Sequence, residues 1–163
     1  MCSPCPGDAC RKAQEERQQR LEGTETTKFH QTSVAVAHEI RQSGKMIRGG
    51  SGAAGKGIYL ADRVDQTEWK TEHHGVVLKC EVKLGRAREL KQHDKNPVPY
   101  TFAELVQEKY DSVKIDRGAV PSGPHKGQPS GDEYVVYSWD QVRVIEEVPR
   151  VRRTCECCKD KPD

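Results

Sequence analysis

The chain is 163 residues long and carries seven cysteines, a length that suits one domain of the usual ~100–200 residues with tails to spare. Hydrophobic residues make up 34% and charged residues 32%, so the core must be small, and 27 Lys and Arg against 25 Asp and Glu exclude the strong basic field that nonspecific nucleic-acid binding relies on. The longest apolar runs fall far short of the ~20 residues that cross a bilayer, and MCSPCPGDAC lacks the apolar stretch of a secretory signal; no membrane span is expected, and the expected address is cytoplasmic or nuclear.

Residues 1–28 read as a polar, cysteine-containing N-terminal tail, in part helical, because Leu21 is the only large aliphatic residue in the run RKAQEERQQRLEGTETT. Thr32 or Ser33 can cap a helix over about 33–42, whose Val36, Ala37 and Ile40 fall on one side, and Gly44 stands where a left-handed C-terminal cap belongs. The six glycines within 44–57 predict a loop or close-approach turn, and Gly57 to Ala61 a short strand. GVVLKCEVKL at 75–84 alternates with the period of a half-buried strand. Thr101 to Glu104 has capping-box spacing and opens a helix to about Lys109. Ser112–Ile115, Glu133–Tyr137 and Val142–Val148 are β-rich, and 117–131 is a Gly/Pro loop. Residues 149–163 form a second tail, basic and rich in cysteine. The class is α+β.

Two glycine motifs fail on context. Gly50-Ser51-Gly52-Ala53-Ala54-Gly55 satisfies G-x-G-x-x-G, and Gly50 through Lys56 begins a P-loop. A phosphate-binding glycine loop must follow a strand and open a helix, so that backbone N–H groups and the helix dipole meet the phosphate. These glycines follow a helix and precede a strand, and Gly57 stands where a P-loop needs Ser or Thr.

Three segments taken together are more specific: Phe29-His30-Gln31-Thr32-Ser33, Gly55-Lys56-Gly57-Ile58-Tyr59-Leu60-Ala61-Asp62, and Asp132-Glu133-Tyr134-Val135-Val136-Tyr137. In this order they resemble the His, Tyr, Glu signature of the poly(ADP-ribose) polymerase-like ADP-ribosyltransferases, over about residues 29–148. The resemblance implies an ADP-ribosyltransferase fold: two packed, short-stranded, antiparallel-type sheets with a few short helices around an NAD cleft, here as a catalytic domain at 29–148. It implies an NAD-dependent transferase that cleaves the nicotinamide–ribose bond and passes ADP-ribose to a macromolecular acceptor, a protein or a nucleic acid, as one unit rather than a polymer.

Residue by residue, the resemblance assigns Glu133, His30 and Tyr59 to catalysis. Cleavage passes through an oxocarbenium-like state, which a carboxylate bonded to the ribose 2′-hydroxyl stabilises; Glu133 fits that chemistry. An aromatic face beneath the cationic nicotinamide adds about 0.5–2 kcal/mol of cation–π attraction, and Tyr59 can supply it. By the same resemblance His30 bonds the adenosine ribose, and NAD is further held by Gln31, Thr32 and Gly57, with Thr67 on the carboxamide and Trp69 on the second ring face. The glycines of 44–57 become a loop over NAD.

One departure carries a consequence: the family has glycine after the histidine, and here Gln31 stands there. A side chain at that point is expected to crowd the carboxamide or to require a backbone angle that glutamine disfavours. The alternative reading is a catalytically silent NAD- or ADP-ribose-binding or interaction module; small stand-alone members of the family include antiviral induced proteins of vertebrates. RNA 2′-phosphotransfer on a related fold would call for several arginines, and the three motif segments contain none. Finally, Cys2, Cys5, Cys10, Cys155, Cys157 and Cys158 cluster at the two ends. They read first as free or acylated thiols, second as a shared zinc site, with the usual paired zinc spacing absent, and last as disulfides.

Overall fold

The computed structural model describes residues 8–68, 71, 74–91, 102–119, 127 and 131–151, with the backbone alone at 102. Among these residues seven strands and four α-helices make an α+β arrangement: α1 (Asp8–Leu21), β1 (Glu25–Thr32), α2 (Val34–Ser43), β2 (Ile58–Ala61), α3 (Val64–Thr67), β3 (Val76–Lys83), β4 (Ala87–Lys91), α4 (Phe102–Gln107), β5 (Ser112–Asp116), β6 (Glu133–Val136) and β7 (Val142–Val148). The strands join in the order β4-β5-β6-β2-β1-β3-β7. All pairs are antiparallel except β4 with β5. The two packed sheets expected from the sequence are therefore one hydrogen-bonded sheet among the described residues, joined at its middle by the single register pair Phe29↔Ala61.

Local signals form the elements as the sequence suggests. The Ser33 hydroxyl accepts from the Val36 N–H, and Gly44, at φ 67°, ends α2 by donating its N–H to the Ile40 carbonyl. A residue with a β-carbon meets a steric penalty at that φ, which glycine escapes. Alternation along β3 buries Leu78, Cys80 and Val82 completely, against Ala37 and Ile40 of α2 and Ile58 and Leu60 of β2. A second cluster on α4, β5 and β6 gathers Leu105, Val113, Ile115 and Val135 with Ala54 and Tyr137. Burial pushes the Cys80 thiol up to about 12, so it stays protonated and inert.

The N-terminal region differs from the expectation. Residues 8–28 are docked, not trailing: Leu21 is buried at 2% exposure, and β1 begins at Glu25, ahead of residue 29. With almost no apolar stripe, α1 is held by charge. Arg17 bonds both oxygens of Asp140 at 2.8 and 3.0 Å, and Arg20 those of Asp111 at 3.0 and 2.9 Å. Asp111 is itself fully enclosed and also accepts the Arg86 N–H at 2.9 Å, so the Arg20 fork neutralises a charge that would otherwise be costly to bury. Gln141 works in the same region, donating to the Lys83 and Asp111 carbonyls at 3.1 and 2.9 Å and so tying the ends of three strands together. No described helix is long and apolar enough to cross a membrane.

Candidate functional site

The three motif segments fall on three neighbouring strands. His30 is on β1, Tyr59 on β2 and Glu133 on β6, and the sheet order runs β6-β2-β1. The registers Tyr59↔Val135 and Ala61↔Glu133 put the Tyr59 and Glu133 side chains on one face as diagonal neighbours, a relation that spans roughly 7–8 Å between backbones. Phe29↔Ala61 continues the Glu133 row onto β1, and with the period of two this brings Gln31 to the same face. Tyr59 is raised above the ordinary phenol range, first by burial, with Glu133 and Arg117 acting on it in opposite directions.

His30 is bound to β2 rather than paired with it. Its Nδ1 stands 2.8 Å from the Tyr59 carbonyl oxygen. A carbonyl can only accept, so Nδ1 carries the proton and Nε2 is left with its lone pair. Burial outweighs this bond and lowers the pKa of the ring from 6.5, which keeps His30 neutral at pH 7.

The glycine loop closes over Tyr59. The Ala54 N–H donates to the Tyr59 hydroxyl at 2.9 Å, and the hydroxyl donates to the Gly55 carbonyl at 2.7 Å. Gly52 lies so near that a β-carbon there would meet the Tyr59 hydroxyl oxygen at 2.1 Å; only glycine permits the approach. Tyr137 anchors the loop from beneath by donating to the Ala54 carbonyl. Gly57 is required for a separate reason, since its β-carbon would strike Val135 Cγ1 at 2.3 Å.

Glu133 is 4% exposed and is not bare. Arg117, from the start of the Gly/Pro loop, donates from Nε to Oε2 at 2.8 Å, and its Nη2 bonds the same oxygen. On the opposite face of β6, Lys28 donates to Asp62 at 2.5 Å and lies 3.9 Å above the Tyr134 ring. Burial, then Asp62, pushes the Tyr134 phenol up to about 12.

The other end of the site is a polar cluster around Gln31. Its side-chain oxygen accepts from the Thr67 hydroxyl at 2.8 Å, and its amide nitrogen donates to Glu68 Oε1 at 3.1 Å. The Gln31 backbone carbonyl accepts from the Thr71 hydroxyl at 3.3 Å. Glu68 is clamped in turn by Arg150, at 2.5 and 3.0 Å, with His74 Nδ1 at 3.3 Å. Burial alone would raise the Glu68 carboxyl, but the bonds from Arg150 and Gln31 outweigh it and hold the group below 4.5. The backbone strain considered for Gln31 is absent: Lys109 is the one described non-glycine residue with positive φ.

His30, Tyr59 and Glu133 thus stand on three adjacent strands, with Tyr59 and Glu133 on the face that also carries Gln31 and its partner Thr67, while His30, one residue along β1, alternates to the other face and reaches Tyr59 through its backbone carbonyl. Thr32 ends β1, opposite Val76, nearly buried. Trp69, Cys2, Cys5, Cys155, Cys157 and Cys158 lie outside the described residues. Cys10 lies on α1, and no group of three His, Cys, Asp or Glu among the described residues could hold a metal ion. Sequence reasoning missed Arg117, Glu68 and Arg150. Arg117 stands just past the end of β5, and only the β5–β6 register brings it to Glu133. Comparison with known proteins gives no match, either to a family model or to a curated relative.

Proposed function

We propose that the chain is an ADP-ribosyltransferase of the His, Tyr, Glu kind that uses NAD as substrate. The observation that carries this reading is the juxtaposition of a nearly buried carboxylate, Glu133, with the Tyr59 ring on one face of adjacent strands, while His30 is bonded to the Tyr59 carbonyl. A carboxylate beside an aromatic ring is the pair needed to stabilise an oxocarbenium-like ribose while a flat cation departs.

In this reading the C1′–N bond breaks with its electron pair leaving on nicotinamide. The acceptor nucleophile bonds C1′, and its proton passes to water. Both Arg117 contacts fall on Oε2 of Glu133, so Oε1 is the oxygen that accepts the ribose 2′-hydroxyl. Arg117 acts as a positioning residue. Neutral His30, with Nε2 unprotonated, accepts from an adenosine ribose hydroxyl. The acceptor is a macromolecule, a protein first and a nucleic acid second, and one ADP-ribose unit is transferred. The test is incubation of the full chain with labelled NAD, scoring nicotinamide release and modified acceptor by mass spectrometry. Glu133→Gln should abolish both, and near wild-type release by that variant would overturn the reading.

A second reading, a silent NAD- or ADP-ribose-binding module, draws on the engagement of the Tyr59 hydroxyl by the glycine loop and of Thr67 by Gln31. It predicts ADP-ribose binding with no nicotinamide release.

A further inference from the structure

Gln31 is a primary carboxamide, the same functional group that distinguishes nicotinamide from a bare pyridine ring. It is nearly buried, and both ends of the amide are satisfied: the oxygen by the Thr67 hydroxyl at 2.8 Å, the nitrogen by Glu68 at 3.1 Å. The Thr67 hydroxyl has a single proton, shared between the Gln31 side-chain oxygen and the Val64 carbonyl 2.6 Å away. A second carboxamide could therefore take the place of Gln31 at that hydroxyl only after Gln31 moves away. Thr71 already occupies a lone pair of the Gln31 backbone carbonyl. The cluster is anchored from outside by Arg150, which holds Glu68 and thereby the Gln31 amide nitrogen.

We infer that Gln31 is an internal stand-in for the substrate's carboxamide, filling the nicotinamide end of the site until NAD displaces it. The inference rests on the transferase reading of the same site. A tethered group binds its own pocket without the translational cost that a free ligand meets, so Gln31 competes effectively although each of its hydrogen bonds is ordinary. The protein then behaves as a two-state site. In one state Gln31 holds Thr67 and the ADP-ribose portion alone can bind; in the other Gln31 has swung out and the whole dinucleotide fits. The affinity for NAD is reduced by the fraction of time the pocket is self-filled. ADP-ribose, which has no carboxamide, escapes that reduction.

The experiment compares wild type, Gln31→Gly and Gln31→Ser as full chains. Benzamide serves as a probe that carries a carboxamide and no ribose or phosphate, beside NAD and ADP-ribose, and binding is read by calorimetry and thermal shift. The inference expects both variants to gain about tenfold in affinity for benzamide and to lower the KM for NAD by a similar factor, with ADP-ribose affinity within about twofold of wild type. ADP-ribose binding also reports that each variant is folded, and Gln31→Ser retains a small polar group should glycine loosen the strand. Unchanged or weaker benzamide binding in folded variants would overturn the inference, while the transferase reading would stand if Glu133→Gln still lost nicotinamide release. If wild type and both variants bind neither NAD nor ADP-ribose, the transferase reading fails and the inference fails with it.

Discussion

Strand β1 is treated differently on its two sides. Toward β3 it is paired along its whole length, from Glu25↔Lys83 to Thr32↔Val76; toward β2 it is paired at Phe29↔Ala61 alone. The first side is a fully satisfied ladder over the apolar cluster of Leu78, Cys80 and Val82. On the second side the contact is made by side chains, His30 reaching the Tyr59 carbonyl and Gln31 reaching Thr67. A sheet that withholds pairing between two strands exposes backbone and side-chain polar groups at its own centre, and those groups need other partners. Here residues from α3, the glycine loop and the segment after β7 supply them. The paired side gives stability, and the unpaired side gives a site.

The sharpest way to break the contrast is to damage each side and ask whether the other survives. Leu78→Ala on the paired side should lower stability by about 2–5 kcal/mol through lost burial and a residual cavity, read as a shifted urea midpoint with unchanged slope; a loss below ~1 kcal/mol would mean that the ladder does not carry the fold. Glu133→Gln should reduce nicotinamide release by about 10²–10³-fold, the effect of removing one stabilising group from a transition state, with NAD affinity within a few-fold of wild type by calorimetry. Tyr59→Phe leaves the Ala54 N–H and the Gly55 carbonyl without the hydroxyl and should cost about 1–3 kcal/mol. Its signature is faster hydrogen exchange confined to 49–57, and protection equal to wild type there would detach the loop from Tyr59.

The smallest effect is the dependence on pH. His30 and Glu68 both have folded values below their ordinary ones. Their contributions are therefore complete above the unfolded values and are lost as pH falls, from about 6.5 downward for His30 and from about 4.5 downward for Glu68. Melting temperature should decline in two steps on acidification. Glu68→Gln should make the lower step smaller and leave the upper one in place, since Asp140 and Glu81 also have folded values below their ordinary ones and keep part of it.

How far the sequence reached follows the same division. Helix α2 was legible because Ser33, the apolar spacing and Gly44 are local signals, and β3 because its alternation needs no partner to be seen. Strand β4 was not: ARELK carries one large aliphatic residue, Leu90, and lies at a sheet edge, where burial leaves little pattern to read. The docking of α1 was hidden because its anchors Asp111 and Asp140 lie 91 and 123 residues beyond Arg20 and Arg17. At the site, the strand positions of His30, Tyr59 and Glu133 could be named from their motifs. The partners Arg117 and Thr67 could not be assigned to Glu133 and Gln31, because those contacts exist only once the chain has folded back on itself.

Among the described residues the sheet ends in β4 on one side and β7 on the other. Open strand edges invite other chains to add to them, and proteins discourage this with charge. Strand β4 carries Arg88, Glu89 and Lys91, and β7 carries Arg143, Glu146 and Glu147. On β7 these charges flank Ile145, which is 45% exposed, and the register with β3 shifts at Lys79/Cys80. Arg143, Glu146 and Glu147 are paired within the chain with Glu81, Lys79 and Arg41, so a neighbouring copy would meet charged side chains already engaged, beside a strand whose register is broken. Charge along both of these strands is the feature by which a sheet discourages fibrous or stacked self-association.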